Sequence, residues 1–184
     1  MIIWIIGLSG AGKTTIGRQV YTKLKSNHAN TVLIDGDEIR DIFKNNQLQN
    51  DYSIHARKHN ADRICALCKW LDNQEINVVC CILSIFEESR NWNKLNYSNY
   101  FEVYIRVPID FLIKNRDYKG IYAKADQGLL KNVVGIDIPF SEPLNSDMVI
   151  DNTTEKESFD NIANEIIKQC SKKWGIENDD KQAN

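Results

Sequence analysis

Residues Gly7-Leu8-Ser9-Gly10-Ala11-Gly12-Lys13-Thr14 fit the pattern G-x-x-x-x-G-K-[ST], the sequence of a phosphate-binding loop. The flanks constrain the fold as much as the letters do. Ile2 to Ile6 is a short apolar run rich in β-branched residues, which reads as a buried strand. Thr15, Ile16, Val20 and Leu24 then recur at near-helical spacing, with Arg18, Lys23 and Lys25 between them. In a strand–loop–helix unit the glycines let successive backbone N–H groups point at one phosphate, and the helix N-terminus adds partial positive charge. Gly7, Ser9, Gly10, Ala11, Gly12, Lys13, Thr14 and Thr15 are therefore expected to hold a nucleoside triphosphate. Lys13 would reach its β/γ-phosphates, and the Thr14 hydroxyl is suited to ligate Mg²⁺.

The 184 residues suit one domain with a sizeable core. A formal net charge of −2 carries no electrostatic footprint for nucleic acid. No apolar run approaches the ~18 residues that span a bilayer, so no membrane association is expected. The first strand starts at the N-terminus with no basic segment before it, which argues against a signal peptide. The five cysteines have no paired spacing. Cys65 and Cys68 sit in a helical stretch without a second pair to complete a zinc site, and Cys80 and Cys81 read as small hydrophobes in an apolar run. Reduced thiols in a cytoplasmic enzyme fit this pattern.

Strands and helices alternate along the chain. A second strand, Thr31 to Ile34, ends in Asp35-Gly36-Asp37, and Glu38 to Phe43 reads as a short helix carrying Arg40. Lys44 to Asp51 is polar and aperiodic, a loop. Ser53 is placed to cap a helix running through Arg57, Ile64, Leu67, Cys68 and Leu71. Ile76 to Leu83 is apolar almost throughout, as a central parallel strand should be, with Ser84 at its carboxyl end. Glu87 to Leu95 reads as helical and Tyr100 to Val107 as a fourth strand. Pro108 then opens a helix through Asn115. Residues 116–135 lack apolar period and read as a mobile lid. Met148 to Ile150 is a last short strand. Thr154 with Glu157 resembles a capping box for a helix that turns Phe159, Ile162, Ile166 and Ile167 inward. The expectation is a three-layer α/β fold of the P-loop NTPase kind, with a parallel sheet of about five strands and helices on both faces. It would form a single kinase domain over residues 1–174, with a frayed tail over 175–184.

Residues beyond the loop separate the classes of triphosphate-binding protein. A GTPase would show an N-K-x-D base-recognition element and a D-x-x-G switch; Asn115-Arg116-Asp117 is as near as this chain comes. Asp35, Asp37 and Arg40 instead place two carboxylates and a guanidinium at the carboxyl end of a strand, where α/β sheets gather ligands. Phosphoryl transfer to an alcohol needs Mg²⁺, an aligned acceptor and often a carboxylate to take the hydroxyl proton. Asp35 can hold a Mg²⁺-bound water, and Asp37 can orient or deprotonate the acceptor. A plain turn closed by an Asx-type hydrogen bond is the other reading of this pair. Arg57 and Asn60 share a helix face and with Arg40 can grip an anion, although each also fits a solvated surface.

Taken together, Gly7 to Thr14, Asp35-Gly36-Asp37-Glu38-Ile39-Arg40, Arg57-Lys58-His59-Asn60, Lys119-Gly120-Ile121-Tyr122-Ala123-Lys124-Ala125 and Asn132-Val133-Val134-Gly135-Ile136-Asp137 resemble the adenylylsulfate kinases, in register from about Ile2 to Ile150. The resemblance implies transfer of the γ-phosphate of ATP to the ribose 3′-hydroxyl of adenosine 5′-phosphosulfate. By position it implies that Lys13, Asp35 and Asp37 are catalytic and that Thr14 and Asp35 serve Mg²⁺. Arg40, Arg57 and Asn60 would bind the acceptor's phosphate side. Arg116, Lys119 and Lys124 would belong to the closing lid, with Arg116 toward ATP and Lys119 and Lys124 toward the acceptor. Tyr52, Ser84, Val133 and Ile136 would complete the acceptor site. The family is often dimeric, which leaves a homodimer open.

The departures concern the acceptor. The family's Phe-Ile-Ser-Pro is here Ile82-Leu83-Ser84-Ile85, its Asp-Pro-Lys-Gly is Asp117-Tyr118-Lys119-Gly120, and its Asn-Ile-Arg-Arg is Asn60-Ala61-Asp62-Arg63. Its Asn-Phe-Thr-Gly has become Asn132-Val133-Val134-Gly135. In the family that phenylalanine and an earlier aromatic sandwich the acceptor's adenine; Tyr52 stands for the earlier ring, but Val133 offers none. By analogy with base–aromatic stacking, one lost face is worth ~1–3 kcal/mol. The profile resembles the cytidine diphosphoramidate kinases of capsule phosphoramidate synthesis, an offshoot whose pyrimidine substrate suits a branched aliphatic wall. A true adenylylsulfate kinase is the runner-up, and a nucleotide-binding switch without transferase activity is the reading from another class.

Overall fold

The computed structural model describes residues 1–43, 51–153 and 158–175. Five strands, β1 (Ile2–Ile6), β2 (Thr31–Asp35), β3 (Asn77–Ile82), β4 (Tyr100–Arg106) and β5 (Met148–Asp151), form one sheet in the order β2-β3-β1-β4-β5. Every pairing is parallel; Trp4, for example, lies between Cys80 of β3 and Glu102 of β4. Parallel neighbours need a crossover between them, and the helices supply it: α1 (Lys13–Asn27), α2 (Gly36–Ile42), α3 (Ile54–Asp72), α4 (Glu87–Asn96), α5 (Ile109–Asn115), α6 (Ile121–Asp126) and α7 (Phe159–Trp174).

The two faces of the sheet are read directly from the alternation in β1. Ile3 and Ile5 join Val79, Cys81, Val103 and Ile105 in a core closed by Ile16 and Val20 of α1 and by Ile162 and Ile166 of α7. Ile2, Trp4 and Ile6 face the opposite way, with Val78, Cys80, Ile39 of α2, and Ile64 and Cys68 of α3. A strand covered on both faces must be apolar at every position, which is why β1 shows no polar alternation. All five cysteines are free and buried in these layers. Gly17 lets α1 lie against β3: a Cβ there would stand 2.1 Å from the Cys81 sulfur. Among the described residues no helix is long and apolar enough to cross a membrane.

Three boundaries differ from the sequence expectation. The helix expected from Glu38 begins at Gly36, because Asp35 itself caps it by accepting from the Asp37 amide. Pro108 precedes α5 as its cap instead of forming its first residue. Residues 116–135, read as an aperiodic lid, contain α6. Gly120 opens that helix at φ 62°, and Asp117 accepts from the amides of Ile121 and Ala123 with its two carboxylate oxygens. A six-residue helix with one buried side chain, Tyr122, has too few turns to show an apolar period. The Thr154–Glu157 capping box lies outside the described residues; Ser158 caps α7 by accepting from the Asn161 amide. The expected tail lies almost wholly outside them, and Gly175 closes α7 at φ 63°.

Candidate active site

The carboxyl ends of β1, β2, β3 and β5 converge around the phosphate-binding loop. Gly12 caps α1 at φ 99°, a conformation that an L side chain rarely adopts, and a Cβ there would also meet the Asn152 amide at 2.7 Å. Asn152, buried just past β5, donates to the Ala11 carbonyl at 2.8 Å and so ties the loop to the edge of the sheet. From the other side, Tyr122 of α6 donates to the Ser9 carbonyl at 2.9 Å. Neither residue carried a site signal in the sequence beyond its place after a strand or inside a motif.

Lys13 folds back to donate to the Leu8 carbonyl at 2.8 Å. Burial pushes its pKa down, while Cys81, Asp37 and Asp35 pull the other way. Thr14 Oγ1 donates to Asp35 Oδ2 at 2.7 Å, and Asp35 Oδ1 accepts from the Asp37 amide at 2.9 Å. The Asx-type turn is present, and with Asp35 capping α2 the Asp37 carboxylate is left exposed. The Asp37 carboxylate is exposed and forms a 3.4 Å ion pair with Lys119 of the lid segment.

Two clefts meet here. One, of about 230 Å³, runs along Gly10, Gly12, Thr15, Arg116, Tyr118 and Lys119. The other, of about 110 Å³, runs along Asp35, Arg40, Tyr52, Arg57, Asn60 and Leu83. Ser9, Lys13, Thr14 and Asp37 line both. In the second cleft the Tyr52 ring lies 4.8 Å from the Arg40 guanidinium and 5.5 Å from that of Arg57. Arg57 also donates to the Tyr52 carbonyl at 2.9 Å and the Asn132 carbonyl at 2.8 Å. Burial, and after it the charge of Arg40, lowers the Arg57 pKa. Asn60 is buried with its amide 3.4 Å from the Gly36 carbonyl. Cys81 lines this cleft as a neutral thiol, pushed up to about 12 chiefly by burial.

Four expected acceptor residues stand elsewhere. Val133 is buried in the α1/α7 core and does not line the cleft; its segment reaches Arg57 through the Asn132 carbonyl instead. Its backbone is fixed by Asp137, which accepts from the amides of Asn132 and Val133. Ile136 lines a separate cavity with Leu8, Tyr104 and Phe140. Ser84 is buried at φ 53° and accepts from Trp4 Nε1 at 3.2 Å. Lys124 is exposed on α6 and lines neither cleft. Arg116 does line the first cleft, its guanidinium 5.3 Å from the Phe111 ring.

The family model described as Adenylylsulphate kinase matches residues 1–151. The chain belongs to the adenylylsulphate kinase family. Cytidine diphosphoramidate kinase of Campylobacter jejuni is 40% identical over 152 residues, which cover 83% of this chain and 86% of that enzyme. Adenylyl-sulfate kinase of Halothermothrix orenii is 32% identical over 174 residues, 95% of this chain and 91% of that one. Among solved structures, the Mycobacterium tuberculosis APS kinase in complex with AMPPNP and APS superposes with a TM-score of 0.78 at 28% identity, covering 91% of this chain and 95% of its own. As a member of this family the protein is a P-loop kinase, a phosphotransferase whose acceptor is a hydroxyl group.

Proposed function

We propose that this kinase transfers the γ-phosphate of ATP to the ribose 3′-hydroxyl of a small nucleotide 5′-conjugate, and that the conjugate is cytidine diphosphoramidate. The observation that carries the transferase reading is the shared wall of the two clefts. With Lys13 and Asp37 lining both, a triphosphate in the first and a sugar in the second would meet at those two residues. ATP would lie on the loop amides with Arg116 beside it. The acceptor hydroxyl would donate to Asp37, which orients it and takes its proton as the bond to phosphorus forms. Lys13 would swing from the Leu8 carbonyl to the phosphoryl oxygens. The residues fit Mg²⁺, because Thr14 and Asp35 offer oxygen donors, the ligand type of a hard cation. Bound there, Mg²⁺ would neutralise charge on the phosphate oxygens. Segment 116–126, already tied to Ser9 and Asp37, would exclude water from the transfer.

For the acceptor, Tyr52 is the one ring among the described residues lining the second cleft. A purine held by two stacking faces would find a single one, itself in contact with two guanidiniums. The 40% identity to a cytidine diphosphoramidate kinase supports the same choice. The second reading, a true adenylylsulfate kinase, is favoured by the family match and by the 32% relative. Steady-state kinetics with ATP, Mg²⁺ and each acceptor separate them. A higher kcat/KM for cytidine diphosphoramidate is expected, and a higher value for adenosine phosphosulfate would defeat the cytidine reading. Transfer to neither, with only slow hydrolysis, would leave a nucleotide-binding switch.

A further inference from the structure

Ser84 is buried just past the carboxyl end of β3 with φ 53°. A residue with a side chain seldom takes this left-handed backbone, and it persists only where the surrounding structure over-determines it. Two buried side chains hold it here. Trp4 Nε1 of β1 donates to the Ser84 hydroxyl at 3.2 Å, and Arg90 Nη1 of α4 donates to the Ser84 carbonyl at 3.0 Å. Arg90 is held in turn: its Nε lies 3.8 Å from Oε1 of Glu102, a buried carboxylate on β4. Glu102 accepts from the Tyr100 hydroxyl at 2.7 Å and from the Ser146 hydroxyl at 2.8 Å. Breaking a buried ion pair from one side strands the other charge, so Ser84, Arg90 and Glu102 form one connected support. None of these side chains lines either cleft, and the mechanism above uses none of them.

The residues on which this turn acts do reach the site. Ile82 and Leu83, immediately before Ser84, line the second cleft. Ile82 also backs Gly36, the residue before Asp37: a Cβ on Gly36 would stand 3.3 Å from Ile82 Cγ1. We propose that Arg90 and Trp4 are positioning residues for the acceptor: by locking the left-handed turn at Ser84, they fix the Ile82–Leu83 wall against which the acceptor and Asp37 are aligned. The inference rests on the transferase reading above. The donor loop has ties of its own, from Asn152 to the Ala11 carbonyl and from Tyr122 to the Ser9 carbonyl. Loosening the turn therefore acts on the acceptor and leaves ATP in place. A misplacement of about 1 Å at a reacting group can cost roughly a hundredfold in rate, which is the scale on which a slack wall would be felt.

Arg90→Ala would strand Glu102 and compromise folding, so the test uses two milder variants. Trp4→Phe removes the donor to Ser84 and keeps a ring. Arg90→Lys keeps a charge beside Glu102 but loses the planar fork that reaches Ser84 as well. With cytidine diphosphoramidate or adenosine phosphosulfate, whichever the wild type turns over, the acceptor KM is expected to rise roughly tenfold in each variant, with KM for ATP within about twofold of wild type. Ile166→Ala opens a cavity in the core on the other face of the sheet and is the control for lost stability. It should lower the melting temperature and leave the ratio of the two KM values unchanged. Amide exchange without substrate should quicken over residues 82–86 in Trp4→Phe and Arg90→Lys, and not in the phosphate-binding loop. Unchanged exchange over 82–86, an unchanged acceptor KM, or a rise of both KM values by one factor overturns the proposal. A wild type that phosphorylates neither acceptor defeats the transferase reading and this inference with it, whereas an active wild type with indifferent variants defeats this inference alone.

Discussion

Asp37 and Lys13 are the two charged side chains among the four residues that line both clefts, and their surroundings differ. Asp37 is exposed and pairs with Lys119, itself exposed, so the pair adds little to stability. Asp37→Asn should therefore leave the melting temperature almost unchanged while kcat falls about 10²–10⁴-fold, with ATP affinity largely kept. Normal turnover in that variant would remove Asp37 from the acceptor role. Lys13→Ala should abolish turnover, since no other cation among the described residues sits on the wall shared by the clefts. Asn152 acts at one remove. Its amide holds the Ala11 carbonyl, and Asn152→Ala leaves that buried carbonyl unpaired, a loss of about 1–3 kcal/mol. Denaturant unfolding should register the loss and KM for ATP should rise, because the loop loses its tie to β5. Nothing in the letters around Asn152 marks it: the contact joins residues 141 apart, and tertiary packing alone brings them together.

At the scale of elements, the sheet and its main helices were legible because β1 and β3 are apolar almost throughout and the long helices carry apolar residues at helical spacing. The lid was not. Its helix is held by side chain to backbone bonds from Asp117, which leave no periodic trace. Asp117→Ala should release α6, so the Ile121 and Ala123 amides exchange with solvent faster while those of β1 and β4 do not. The loop through Val133 is placed in a way that letters alone do not give, for a related reason. Substituting an aromatic by valine reads as a change to a wall, yet the side chain is buried in the core and the segment offers the cleft its backbone. Asp137 fixes that loop. Burial acts to raise its pKa, but the amides of Asn132, Val133 and Asp137 itself outweigh that and hold the carboxyl below the usual carboxylate range. A depressed folded-state pKa means its contribution is full above the unfolded value and is lost as pH falls through the folded one. Asp137→Asn should thus melt below wild type at neutral pH, by a margin that solvent screening keeps small, and the two should converge in strong acid. A pH-independent gap would show that the charge is not what holds the loop.

Across the whole molecule, function follows from where one end of a parallel sheet gathers its loops. The order β2-β3-β1-β4-β5 sets the loop after β1 between the Asp35 end of β2 and the Asn152 end of β5. Of the residues that the motifs proposed for ATP, Ser9, Gly10, Gly12, Lys13, Thr14, Thr15 and Arg116 line the first cleft. Of those proposed for the acceptor, Arg40, Tyr52, Arg57 and Asn60 share the second cleft, Lys119 lines the first, and Ser84, Lys124, Val133 and Ile136 line neither. Glycine spacing is a local property, whereas the second cleft is assembled from four separate stretches of chain. The most direct test of the central claim is a phosphorus NMR time course of ATP, Mg²⁺ and cytidine diphosphoramidate with the wild type and with Asp37→Asn. The wild type should build a 3′-phosphomonoester resonance coupled to the ribose H3′ in step with ADP, and Asp37→Asn should build it at least about a hundred times more slowly. Release of inorganic phosphate with no ribose ester, or equal rates in the two proteins, would contradict the account.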